Sequence, residues 1–203
     1  MVQPALPMSP EKWETGLNLD QFVLRMKHKA DDMRRRLAEV TLTPAQRGML
    51  TGLNRAAHVL VMTEDWCGDS LMNVPILVRV VDSIPGMDMR FFIRHECADL
   101  RLYYEERGIH TIPVFTFLDK KFEEIGTWVE RPQAAHLWRQ AWLARHPERD
   151  AIQCDPTLTE DERRARLQEI AQIYQKEMEE QYRRELQTAT VAELARLLAA
   201  GRE

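Results

Sequence analysis

Ala57-His58-Val59-Leu60-Val61-Met62-Thr63, then Glu64-Asp65-Trp66-Cys67-Gly68-Asp69-Ser70, then Leu71 to Val81 is the stretch on which the reading of this chain turns. The opening run is continuous, apolar and rich in β-branched residues, as a parallel strand buried on both faces would be. Leu71 to Val81 is apolar nearly all round, which fits a buried helix. The order is strand, loop, helix, and chemistry in such units sits just beyond the strand.

Outward from this unit the pattern repeats. Met89 to Ile93 reads as a second strand, and Ala98 to Arg107 as a helix that Gly108 can end. Ile112 to Leu118, the turn Asp119-Lys120-Lys121 and Phe122 to Val129 read as a β-hairpin. Pro132 opens a last core helix carrying Leu137, Trp138, Ala141 and Trp142. The predicted core is therefore βαβαββα, its first two strands parallel through a right-handed helical crossover.

Upstream, Ser9 and Pro10 read as an N-cap and first helical residue, and Trp13, Leu17, Phe22, Leu24 and Met26 suggest one or two helices reaching about residue 39. Thr43, Pro44 and Gln46 form a capping box for a short helix through about Leu53. Beyond His146-Pro147 the chain turns strongly charged. Thr159 to Glu162 is a capping box for one long helix with an apolar stripe from Ile170 through Tyr174, Met178 and Tyr182 to Leu186; a second box, Thr190 to Glu193, opens a short leucine-rich helix ending at Gly201. The expected organisation is an N-terminal helical layer over 1–54, a core over 55–146 and a C-terminal helical extension over 147–203.

Length and composition bound the function. At 203 residues the chain is somewhat longer than the ~150 of an average domain, so one core with appendages is expected. With 44% hydrophobic and 30% charged residues and no apolar run near the ~20 needed to cross a bilayer, a membrane span is excluded. The opening residues show no secretory signal, so the cytoplasm is the expected address. A net charge of −4, from 28 basic and 32 acidic residues scattered along the chain, leaves no basic field for nucleic acid. Three cysteines, Cys67, Cys97 and Cys154, are an odd and widely spaced set; they argue against a disulfide framework or a four-ligand zinc site. His95, Glu96 and Cys97 share one loop but have no second cluster to complete a metal site.

Cys67 stands between a buried strand and the first turn of a helix, where unpaired N–H groups and the positive dipole end favour a thiolate. That is a nucleophile's position, and a thiolate there would alkylate faster at pH 7 than a free cysteine. Asp69, Glu64 and Asp65 pull the other way, so the net shift stays unsigned.

Trp66-Cys67-Gly68-Asp69-Ser70 resembles the Trp-Cys-Gly-x-Cys active site of the thioredoxin superfamily, and Pro75 matches the proline that kinks the following helix. Arg107 to Phe115, with Ile112-Pro113 inside it, resembles the segment whose proline is cis and faces the active-site cysteine; Asp119 to Gly126 resembles the closing hairpin. The fuller string Thr63 to Asp69 is similar to a bacterial branch of thioredoxin-like proteins. The resemblance covers roughly residues 55–145. It implies a thioredoxin-like α/β fold of about four strands, glutaredoxin-type in its core, with extra N-terminal helices and a long C-terminal helix. It also implies a thiol-disulfide oxidoreductase needing no cofactor, with Cys67 as nucleophile. Trp66 would rim the sulfur, Gly68 would allow tight approach and a clean helix start, and Thr111, Ile112 and Pro113 with Asp69 would border the substrate.

Ser70 occupies the place of the second, resolving cysteine, so a dithiol cycle within the motif is excluded. Ser70 either donates a hydrogen bond to the thiolate or is an ordinary polar residue of a first helical turn. A mixed disulfide on Cys67 would then be released by Cys97, on the same sheet edge, or by an external thiol such as glutathione, as in a monothiol cycle. Expected partners are a disulfide-containing protein or a small-molecule thiol, with a homodimer through the tail helix as a further option. The rival reading is a protein-binding module on a redox-inactive scaffold.

Overall fold

The computed structural model describes residues 5–53 and 56–200. The chain divides into two compact units, Met1–Arg131 with Thr190–Glu203, and Pro132–Ala189.

The first unit is built on a four-stranded sheet of β1 (His58–Thr63), β2 (Asp88–Ile93), β3 (Val114–Leu118) and β4 (Glu124–Val129) in the order β2-β1-β3-β4. β1 runs parallel to β2, with Thr63 opposite Ile93, and antiparallel to β3, with Met62 opposite Val114. The β3–β4 hairpin is antiparallel, and Phe122 takes a positive φ of 63° where its turn closes. Val59 to Thr63 are buried throughout, as a strand covered on both faces requires.

Six helices accompany these strands: α1 (Pro10–Trp13), α2 (Leu19–Arg25), α3 (Ala30–Glu39), α4 (Pro44–Met49), α5 (Gly68–Asp82) after β1 and α6 (Ala98–Glu106) after β2. Ser9 caps α1 through Lys12 N, Asn18 and Gln21 form a capping box on α2, and Thr43 and Gln46 do so on α4. The apolar spacing before residue 39 predicts one or two helices; the structure has three. Leu17 leaves the helical path to exchange backbone hydrogen bonds with Phe91, at 3.0 and 2.8 Å, on the outer edge of β2. Gly16 makes that approach possible, since a Cβ there would lie 2.7 Å from Arg90 Cβ and from the Phe92 ring. A second break follows α2, where the Lys27 and His28 N–H groups both donate to Asp65.

The second unit holds α7 (Gln133–Arg145), α8 (Glu148–Cys154) and α9 (Glu160–Gln181), the last opened by the Thr159 capping box. Trp142 Nε1 donates to Glu177 at 2.9 Å, and Trp138 and Trp142 lie against Tyr174 at 5.7 and 4.9 Å between centroids. Leu137, expected in the core, is exposed. The apolar stripe residues Ile170, Met178, Tyr182 and Leu186 are buried by their own chain.

The second capping box does not start a helix. α9 runs through a π-helical turn at Tyr182–Leu186 straight into α10 (Gln187–Ala199). The Thr190 hydroxyl is used sideways instead, fully buried and donating to Asn73 Oδ1 of α5 at 3.1 Å. Within the first unit, α10 also accepts Trp128 Nε1 on Glu193 at 2.9 Å and lays Leu197 over Gly126. The expected stop at Gly201 lies outside the described residues. Among the described residues no helix is long and apolar enough to cross a membrane.

The close approach at Gly16 yields a stability test. Gly16→Ala forces its Cβ into Arg90 and Phe92, and overpacking of this kind costs about 1–3 kcal/mol. The expected outcome is a lower urea midpoint; a variant as stable as the parent would show that the Leu17–Phe91 bridge gives way freely.

Candidate thiol site

β1 ends at Thr63, and three residues carry the chain to Cys67, which takes an extended conformation (φ −70°, ψ 120°) as N-cap of α5. Its backbone does the capping, with the Cys67 carbonyl accepting Leu71 N at 3.1 Å. The side chain turns the other way, and Sγ donates to the carbonyl of Ile112 at 3.4 Å. That carbonyl belongs to the Ile112-Pro113 peptide, which is cis and leads into β3. Because β1 and β3 pair antiparallel, with Met62 opposite Val114, the end of one strand and the start of the other open on the same edge.

The thiol is not at the surface. Cys67 is 7% exposed and packs in a cluster with Met62, Leu100, Tyr104 and Ile112. Burial pushes its pKa up; hydrogen bonds from the Ser70 side chain and from the Ser70 and Asp69 backbone oppose this, and the Asp69 charge adds to the rise. The net direction is upward. The sign that the sequence left open is therefore upward: apolar burial outweighs the helix N-terminus, and the resting group is a neutral thiol donating to a carbonyl.

The other motif residues fall around it with separate surroundings. Ser70 is buried, its hydroxyl 2.5 Å from that of Thr63. Trp66 is 55% exposed. Thr111 is exposed, while Ile112 and Pro113 are buried. A Cβ at Gly68 would meet nothing within 4 Å, so glycine is not required there for close approach. Asp69 is tied to the Arg131 guanidinium, which also reaches Glu130. Cys97 caps α6 and is partly buried against the same apolar cluster as Cys67; burial raises its pKa, with Lys12 opposing and Asp99 and Glu96 adding to the rise. Cys154 is exposed on α8 of the second unit.

Several partners were not read from the sequence. Glu64, 5% exposed, accepts the backbone N–H of His95 at 2.8 Å and faces its ring at 2.9 and 3.0 Å. Asn73 donates to the carbonyls of Asp69 and Glu130 while accepting from Thr190. Asn73 had a legible signal, as the single amide in the nearly all-apolar run from Leu71 to Val81, where a buried polar group needs partners. Arg131 and Thr190 had none. Among the described residues no group of three or more His, Cys, Asp or Glu side chains is placed to hold a metal ion.

A sheet in this order, a cysteine capping the helix after β1 and a cis-proline peptide against its sulfur define a thioredoxin-like protein. The Thioredoxin family model (Thioredoxin_9) matches residues 16–143, and the chain belongs to that family. In fold it is similar to the crystal structure of a protein of unknown function from Pseudomonas aeruginosa, with 16% identity and a TM-score of 0.62 over 95% of this chain and 98% of that one. It is also similar to an HIV epitope-scaffold, with 16% identity and a TM-score of 0.60 over 96% and 99%. No curated protein matches it.

The raised pKa has a kinetic signature. Since the thiolate is the reactive form, raising the pKa lowers its fraction at pH 7. In a Cys97→Ser, Cys154→Ser background, Cys67 is expected to react with iodoacetamide at pH 7 more slowly than a free cysteine, and to speed up through a midpoint above about 8.5. Asp69→Asn is expected to lower that midpoint and Ser70→Ala to raise it. A midpoint below the free-thiol value would overturn the assignment of burial as the dominant effect.

Proposed function

We propose that the protein is a monothiol-type thiol-disulfide oxidoreductase in which Cys67 is the nucleophile. The observation that carries this reading is the Cys67 Sγ at the N-terminus of α5, held 3.4 Å from the Ile112 carbonyl on the edge where a substrate backbone would pair. Loss of the S–H proton to solvent gives the thiolate. It attacks one sulfur of a disulfide R–S–S–R′, forming Cys67–S–S–R and releasing R′–S⁻, which takes up a proton. A second thiol then attacks the Cys67–S–S–R bond. It is either an external one, such as glutathione, which attacks the R sulfur, leaves with it as a mixed disulfide and frees Cys67, or Cys97, which attacks the Cys67 sulfur, leaves an internal Cys67–Cys97 disulfide and releases RSH. Thr111, Ile112 and Pro113 border the docking edge, and exposed Trp66 offers an apolar rim. Ser70 supports the thiolate by hydrogen bonding, within a chain that reaches Thr63. Disulfide-bearing proteins and small thiols are the proposed partners.

One observation favours a second reading. A buried thiol with an upward-shifted pKa, and serine where a second thiol would stand, also suit a scaffold that binds a protein partner without turnover.

Intact-mass analysis after glutathione disulfide treatment at about pH 9, in a Cys154→Ser background, separates the two. One glutathione added on Cys67 is the expected result for external resolution; loss of two hydrogens with no adduct, reverting to an adduct in Cys97→Ser, is the result for Cys97. An unchanged mass, together with equal near-zero disulfide reductase rates for the parent and Cys67→Ser, would leave only the binding module.

A further inference from the structure

A groove of about 810 Å³ opens beside the motif, walled by the end of α2, the loop after β1 with Glu64, Asp65 and Trp66, the loop after β2, and α6. It reaches Trp66, the residue before Cys67, while Cys67 and Ile112 are not among its lining. Its volume is in the range of ligand sites, about 300–1,000 Å³. Four Lys or Arg and four Asp or Glu side chains line it, so its formal charges cancel and its preference is set by which of them remain available.

The carboxylates are all engaged. Asp65 accepts two backbone N–H groups, at 2.7 and 3.1 Å. Glu64 is buried and takes both the backbone and the ring of His95. Glu96 is paired with Arg25 at 2.5 Å. Glu105 is shared between two guanidiniums, Arg94 at 3.2 Å and Arg101 at 3.8 Å. The cations are not all engaged. Lys27 is exposed, and its ammonium has no carboxylate partner among the described residues; Arg101 has only the distant half of a shared one. A lysine whose ammonium has no carboxylate partner among the described residues and an arginine held at long range are the charges that an incoming ligand meets, beside the exposed Trp66.

We propose that this groove is a recognition surface for an acidic polypeptide segment of the protein partner, with Lys27 and Arg101 as its specificity-determining charges. The proposal deepens the reading of Cys67 as a thiol that meets disulfide-bearing proteins, and it rests on that reading for the partner's identity. Aspartate or glutamate residues flanking the partner's cysteine pair with Lys27 and Arg101 while an apolar neighbour covers Trp66. The protein's own charge of −4 would repel such a segment elsewhere, which makes a local site necessary for capture.

The test uses full-length Cys67→Ser protein, so that no covalent step contributes, and two blocked peptides of equal length around a central S-methylcysteine, one flanked by glutamates and one by lysines. Amide chemical-shift titration is the readout. The acidic peptide is expected to bind at least about fivefold more tightly, with shifts at residues 27, 66 and 101, and to lose that preference in 0.5 M salt, where the screening length is only about 4 Å. Lys27→Glu with Arg101→Glu, which exchanges side chains at exposed positions and leaves the Lys27 N–H to Asp65 bond in place, is expected to abolish or reverse the preference. Equal binding of the two peptides, a preference unchanged in the double variant, or shifts confined to other surfaces would overturn the proposal. Because these peptides cannot exchange disulfides, such a failure leaves the nucleophile assignment standing; a lack of glutathione adduct on Cys67 would remove that assignment without touching this result.

Discussion

The hydrogen bond from Cys67 Sγ to the Ile112 carbonyl is the contact around which the rest of the first unit is arranged. It joins the N-terminus of α5 to the entry of β3, two points brought to one sheet edge by the antiparallel β1–β3 pairing. It also fixes the resting state of the sulfur. A thiol that donates to a carbonyl inside an apolar cluster is protonated, and the dipole and N–H groups of the helix do not reverse that. Any nucleophilic role for Cys67 therefore includes the cost of ionising it, which a partner docking over Trp66 and the β3 edge would have to offset.

The three acidic residues around Cys67 do structural tasks. Glu64 holds the loop after β2 through His95, Asp65 holds the end of α2 through two backbone N–H groups, and Asp69 holds Arg131 just after β4. Glu64 and Asp65 thus tie the loop after β1, and Asp69 the first turn of α5, each to a different neighbour. Asn73 adds a fourth tie, linking α5 to the Glu130 carbonyl and to Thr190 on α10. From the sequence these carboxylates read mainly as repulsion against a thiolate; in the structure that electrostatic effect is carried by Asp69.

What was legible in the sequence was local. The β1 run, the α5 run and the β3–β4 turn announce themselves through periodicity and capping, and the Cys67 and Pro113 motifs could be matched as a pair. What was not legible depended on contacts distant along the chain. The breaks before and after α2 come from Phe91 and from Asp65, neither of which any window around residues 16–28 contains. Thr190 has the spacing of a capping box, yet Asn73 claims its hydroxyl and the helix runs on through it. The sign of the Cys67 shift likewise needed the walls of its cluster, because opposing effects of similar origin could be named from the motif but not weighed.

The account's central claim is that this sulfur rests protonated against the Ile112 carbonyl. A titration of the Cys67 ¹³Cβ resonance, followed by NMR in protein labelled at cysteine, reads that state directly. The expected result is a single transition whose midpoint lies above about 8.5, moving lower when Asp69 is neutralised. A midpoint at or below 7 would mean that the thiolate is the resting form, and would contradict the account.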